Sequence, residues 1–394
     1  MKSNMIERKI RIAVVSDLHC HPEIPYGNKD GAVNATYLYT DLLRKSDHPI
    51  ESLIPVVKDE TVDLVICPGD LTDKSNVQGF ISGWNYVLEL KDLLKSDEVI
   101  ATIGNHDVDS FNNHSSYSFE IAKKIKRNFP LEKNEECETF WSKGCVFVER
   151  ENYRVLVINS CHFHHNKANS SSGKVDEEIF IYINEYLEKV DDNKIKIALT
   201  HHHPIDHSRF ELGEYDKIVN ADEFLNVLGE NKFDLLIHGH KHDPLLRYHN
   251  TTKTSYRLPI FSSGSFSSIS NLEYTSVRNY FHIINLEKTE KAIGEIFSWT
   301  YFPKQGWKKN YDENGFAPHA GFGNEKKLEE IVNEVEKIVG DKPFETWENV
   351  ISDVRELKNL IPQELEQINK MFIGAKLKTD EPICNFPQLI FKIK

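Results

Sequence analysis

Five short apolar runs, each ending in a cluster of Asp, His or Asn, constrain this chain more than any other feature. Asp17-Leu18-His19 closes the run 10–16, and Gly69-Asp70-Leu71-Thr72-Asp73 follows Leu64–Cys67. Gly104-Asn105-His106-Asp107 follows 99–103, His201-His202-His203-Pro204 follows 195–200, and Gly239-His240-Lys241-His242 follows Leu235–His238. The runs are β-branched and bounded by turn residues, a pattern that predicts strands. Helical stretches such as 179–190 lie between them, so an α/β architecture with helices on the outer sheet faces is expected. A further strand is expected at 154–159, and later ones at 256–262, 280–286 and 293–301; this late cluster predicts a second sheet packed on the first. Loops at the carboxyl ends of sheet strands converge above a rigid scaffold, so the five clusters can meet at one point.

The chemistry that suits them is metal binding. Asp supplies hard oxygen, His imidazole nitrogen, and Asn a neutral carbonyl oxygen. In an extended segment a spacing of two turns side chains to one face, so Asp17 with His19, and His240 with His242, are expected to serve one site each. Gly69, Gly104 and Gly239 suit sharp turns. The lack of cysteine in these clusters disfavours a structural zinc site.

The wider sequence narrows the class. At 394 residues, 39% hydrophobic and 28% charged, the chain suits one large globular domain with an appendage. A net charge of −13 argues against broad affinity for nucleic acid. No apolar run approaches the ~18 residues of a membrane span, and Met1 to Lys9 is polar, without a secretory apolar segment. The six cysteines form no CxxC pair, so a reducing cytoplasm is the expected location. Residues 1–301 are expected to form the main domain and 302–324, rich in Gly, Pro and Asn, a linker. In 325–394 apolar residues recur at helical spacing, first Leu328 to Val339, then Trp347 to Ile361, then Leu365, Ile368 and Phe372. These amphipathic helices are expected to pack on the main domain, with a partner-binding or dimerising role as the alternative.

In this order the five blocks resemble the signature of the calcineurin-like metallophosphoesterase superfamily, over about the first 300 residues. The resemblance implies a four-layer α/β/β/α sandwich with a pair of divalent metals, Mn, Fe, Zn or Ni, at the sheet edge. It implies that Asp17, His19, Asp70 and His242 hold one metal, and that Asp70, Asn105, His202 and His240 hold the other, with Asp70 bridging. Of the three consecutive histidines, His202 is chosen because the family ligand usually lies two positions before the proline. A metal-bridging hydroxide would attack phosphorus in line, with His106 protonating the leaving oxygen or stabilising the transition state, and Asp107 orienting its ring.

The remaining polar residues carry plainer readings. Asp73 is expected to brace its turn, and His162, His164 and His165 to lie in a surface loop or line the cleft. His201 and His203 stand as neighbours of the ligand set, and Ser262 to Ser265 as a turn or a phosphate contact. Asp107 and the His-His-Pro element resemble the cyclic-nucleotide phosphodiesterase branch, which points to a nucleotide or other small phosphodiester substrate. Leu71-Thr72-Asp73-Lys74 departs from the protein phosphatases of the superfamily. A metal-dependent nuclease is the enzymatic alternative, and a non-catalytic scaffold recruiting partners through the C-terminal helices the other.

Overall fold

The computed structural model describes residues 7–22, 36–38, 44–125, 127–190, 193–206, 216–269, 277–309 and 315–393. Residues 1–6 of the polar N-terminus and 310–314 of the expected linker lie outside the described residues. The first half of the chain forms β1 (Arg8–Val14), α1 (Pro49–Val57), β2 (Leu64–Cys67), α2 (Val77–Leu93), β3 (Glu98–Ala101), α3 (Glu120–Lys124), α4 (Asn134–Lys143), β4 (Cys145–Glu149) and β5 (Tyr153–Ile158). Next come α5 (Glu177–Leu187), β6 (Ile195–Leu199), α6 (Ala221–Glu230), β7 (Leu235–His238), β8 (Leu245–Asn250) and β9 (Arg257–Ser262). The pairing strands β10 (Asn279–Lys288), β11 (Ala292–Phe302), β12 (Gly306–Lys308) and β13 (His319–Phe322) follow. The chain closes with α7 (Leu328–Val339), β14 (Phe344–Thr346), α8 (Trp347–Asp353), α9 (Pro362–Gly374), β15 (Leu377–Thr379) and β16 (Leu389–Lys392).

Two sheets make the body. One runs β12-β11-β10-β1-β2-β3, with β13 also paired to β11; the other runs β4-β5-β6-β7-β9-β8. β1, β2 and β3 are parallel, as are β5, β6, β7 and β9, while β10 is antiparallel to β1. The late strands therefore divide: β9 joins the second sheet, and β10 and β11 extend the first.

Alternation along the strands explains the layers. In β5 every residue is buried. Val155 and Val157 face the core between the sheets, whereas Leu156 and Ile158 pack outward against Ile179, Ile183, Phe224 and Leu228 of α5 and α6. Both faces of that strand are thus covered, as parallel strands require. The first sheet is covered by α2, whose Phe80, Trp84 and Val87 are buried.

The stretch expected as a linker supplies strands β12 and β13 of the first sheet. Past it stand three helices together with a three-stranded sheet, β14-β16-β15, which helical periodicity did not reveal. Ile331, Val335, Ile368, Phe372 and Ile390 of this unit belong to the same continuous core as the main sheets. The unit is fastened through the Gly321 amide, which donates to Leu360 O at 2.8 Å, and through Arg257 to Glu364 at 2.7 Å. Among the described residues, no helix is long and apolar enough to cross a membrane.

Candidate metal centre

The turns after β1, β2, β3, β6 and β7 meet at one edge of the two sheets. They are tight and strained. Asp17, His19, Asp70, His240 and His242 all have positive φ, between 49° and 78°, a region costly for residues other than glycine and concentrated at functional sites. The expectation of extended segments with both side chains on one face is corrected by this geometry: His242 turns toward Asp17 and His240 toward Asn105. The glycines are needed for close approach. A Cβ on Gly104 would lie 2.1 Å from Asp70 Oδ1, and one on Gly239 2.4 Å from Asp17 Oδ2.

Around Asp70 two sets of donors form. In the first, His19 Nε2 lies 2.8 Å from His242 Nε2, His242 Nε2 lies 3.3 Å from Asp17 Oδ1, and His19 Nε2 lies 3.6 Å from Asp70 Oδ2. In the second, His201 Nε2 lies 3.3 Å from Asp70 Oδ2 and 3.0 Å from Asn105 Oδ1, and His240 Nδ1 lies 2.9 Å from the same oxygen. His201 Nδ1–H donates to Pro68 O at 3.0 Å, which leaves the Nε2 lone pair for the cluster. Lone pairs thus face lone pairs, with Asp17 and Asp70 essentially inaccessible to solvent. Such an arrangement is unfavourable unless cations or protons sit among the donors. Without a cation the cluster draws protons instead: burial opposes ionisation of Asp70, yet the charge on protonated His201 and His106 holds its pKa well below the ordinary carboxylate value. The residues fit a pair of divalent cations.

Beside them is a dyad. His106 Nδ1 lies 2.9 Å from Asp73 Oδ1, and the His106 amide donates to Asp70 Oδ1 at 2.8 Å. Burial alone would lower the His106 pKa, but the charge on Asp70 and the bond to Asp73 outweigh it and push it up to about 9. Asp73 also lies 3.7 Å from His19 Nδ1.

Three expectations change here. It is Asp73, not Asp107, that meets the His106 ring. The Asp107 carboxylate instead accepts backbone N–H bonds from Asp70, Leu71, Thr72 and Gly104 at 2.8–3.1 Å, locking two turns together. Burial, then the charge on Asp70, push its pKa up to about 7. And His201, not His202, stands against Asp70 and Asn105; His202 Nδ1 lies 2.8 Å from Ser160 Oγ on the other side of the turn. The choice two positions before Pro204 missed this because three histidines precede the proline. Asp17, His19, Asp70, Asn105, His240 and His242 are all brought together.

The 262–265 turn packs on the turn after β1: Ser265 Oγ donates to Asp17 O at 2.7 Å. His164 is fully buried, while His162 and His165 are exposed. Asp216, which sequence reasoning did not single out, lies 3.6 Å from His240 Nε2 and pairs with Lys241.

The family model for calcineurin-like phosphoesterases matches residues 10–244, more than half of the chain. The chain belongs to that family. A second model, wHTH-Calcineurin_assc, matches residues 320–371, from β13 into α9. No curated protein matches the sequence. Solved structures that match include the purple acid phosphatase PPD1 of yellow lupin (Lupinus luteus), at 15% identity and TM-score 0.47, over 74% of this chain and 52% of that one. This chain therefore spans about half the length of the lupin enzyme. A dimetal phosphatase of Danio rerio matches at 13% identity and TM-score 0.47, over 74% of this chain and 99% of its own length.

Proposed function

We propose that this phosphoesterase hydrolyses a nucleotide or other small phosphodiester with two divalent cations, one held by Asp17, His19, Asp70 and His242, the other by Asp70, Asn105, His201 and His240. The observation that carries this is the set of inward-facing, buried nitrogen and oxygen donors centred on Asp70. Two such cations supply Lewis acidity, acidifying water and neutralising charge that builds on the phosphoryl oxygens. The chain's own residues do the rest. Asp70 is shared, so it fixes the spacing of the two sets. His106, held protonated by Asp73, donates a proton to the departing oxygen. Asp107 keeps the Asp70 and Asn105 turns in register through its four backbone bonds.

The nuclease reading is disfavoured by the C-terminal unit: the charged residues of α9 are Glu364, Glu366 and Lys370, not a basic stripe.

A screen of cyclic nucleotides, dinucleotides, an aryl phosphodiester and single- and double-stranded nucleic acid with Mn²⁺ tests the proposal. The small diesters should turn over, and chelation should abolish it. Full turnover by metal-free protein, or none of these substrates cleaved by protein holding two cations, overturns it.

A further inference from the structure

The triple histidine leaves His202 outside the paired centre, and it has company. Cys161 and His164 come from the turn after β5, His202 from the turn after β6, and all three are fully buried. One donor atom from each lies within 4.8 Å of the others, with Cys161 Sγ 4.0 Å from His202 Nδ1. The His164 and His202 rings meet edge to face at 5.1 Å. His164 Nε2–H donates to Ser172 O at 2.9 Å, so its lone pair is on Nδ1, and that atom is buried without a hydrogen-bond partner. His202 Nε2 is buried and unpartnered as well. The orphaned His164 Nδ1 and the buried thiol, with His202 Nδ1 beside that sulfur and held by Ser160 Oγ at 2.8 Å, are costly to leave unsatisfied.

We infer that Cys161, His164 and His202 form a separate mononuclear site for a borderline-soft divalent cation of the zinc or cobalt type. Thiolate with two imidazoles is the donor set such ions favour, and it differs from the thiol-free paired centre. Metal–ligand bonds of about 2.0–2.3 Å set tetrahedral donors roughly 3.3–3.8 Å apart. The present separations therefore close with side-chain movements on the order of 1 Å. On binding, the Cys161 S–H bond is replaced by an S–metal bond and one proton passes to solvent, while both imidazoles stay neutral. The ion would tie the β5 turn to the β6 turn directly behind His201, bracing the loop that presents it. The inference rests on the proposed function only in assigning His201, rather than His202, to the paired centre.

Cobalt reconstitution of the full-length, metal-stripped protein tests this, with elemental analysis and absorption spectra as readouts. The expected result is about three cobalt ions per chain and a thiolate-to-cobalt charge-transfer band in the near ultraviolet. Cys161→Ser should lose the band and one ion while keeping the rest. Asp70→Asn should lose ions of the paired centre and keep the band. Should Cys161→Ser fail to fold, His164→Gln reads the same signal: a shifted or lost band supports the site, an unchanged one overturns it. Two bound cobalt ions without the band overturn this site alone. No bound cobalt at all overturns the paired centre with it.

Discussion

Replacing Lys288 by Met should destabilise the fold without touching catalysis. Lys288 ends β10, and its ammonium bonds Asp234 Oδ2 at 2.7 Å, with both side chains more than nine-tenths buried. Asp234 opens the approach to β7 and also accepts the Lys196 amide at 2.8 Å. The pair therefore joins the first sheet to the second. It does so at the end away from the metal centre: Lys288 pairs with Arg8 at the start of β1, whereas His282 pairs with Val14 at its end. Six residues of strand put roughly 20 Å between those rows. Removing one partner of a buried pair leaves an uncompensated charge, at a cost of about 3–5 kcal/mol. The sign of the pH dependence follows. Burial already raises the Asp234 pKa against the pull of Lys288, and without the ammonium it rises further. A carboxyl with a raised folded-state pKa weakens the fold progressively as pH rises from its unfolded value to its folded value, and the penalty fades as pH falls back through that window. The deficit of Lys288→Met should thus be larger near ~pH 8 than near ~pH 5. Urea unfolding is the assay, read as a fall in midpoint at constant slope. Lys288→Met/Asp234→Asn should recover most of the loss, since the amide oxygen still serves Lys196. A single-variant deficit below about 1 kcal/mol, or one equal at both pH values, refutes the reasoning.

At the centre, metal-replete His106→Gln should lose roughly 10²–10⁴-fold in kcat, more for alkoxide than for aryl leaving groups; equal loss for both assigns it to charge stabilisation instead. Wild-type turnover should fall as pH rises through about 9, where His106 loses its proton, and in Asp73→Asn that fall should begin at lower pH. An unmoved alkaline limb in a pH–rate profile of Asp73→Asn would show that the carboxylate does not support His106. Asp107→Asn should instead lower stability by about 2 kcal/mol, because charged hydrogen bonds to backbone are lost, and leave that limb in place. His201→Ala should lose bound metal from the paired centre more than His202→Ala does, as measured by calorimetric titration with Mn²⁺. In Gly321→Ala the new Cβ would lie 2.0 Å from Lys358 O, so limited proteolysis should release the C-terminal unit faster while metal content persists.

The order of the five blocks and the strands before them were legible because each rests on local chemistry. A β-branched run followed by Gly-Asp or Gly-His states both a strand and its terminating turn. Asp17, His19, Asp70, Asn105, His240 and His242 come together at the sheet edge from turns that those local rules placed. What the sequence by itself left open was every choice between near neighbours. His201 and His202 are the same residue type one position apart, and only the turn after β6 decides that one ring meets Asp70 while the other lies against Ser160 and Cys161. Asp73 and Asp107 flank different turns, and only the packing of β2 against β3 brings Asp73 to the His106 ring and Asp107 to the backbone amides. The strands of 302–324 and 344–392 were hidden for a related reason. They are three or four residues long, too short for a period of two to register, and are held by β11 or by each other. Pairing across the sheet, a long-range interaction, made them strands.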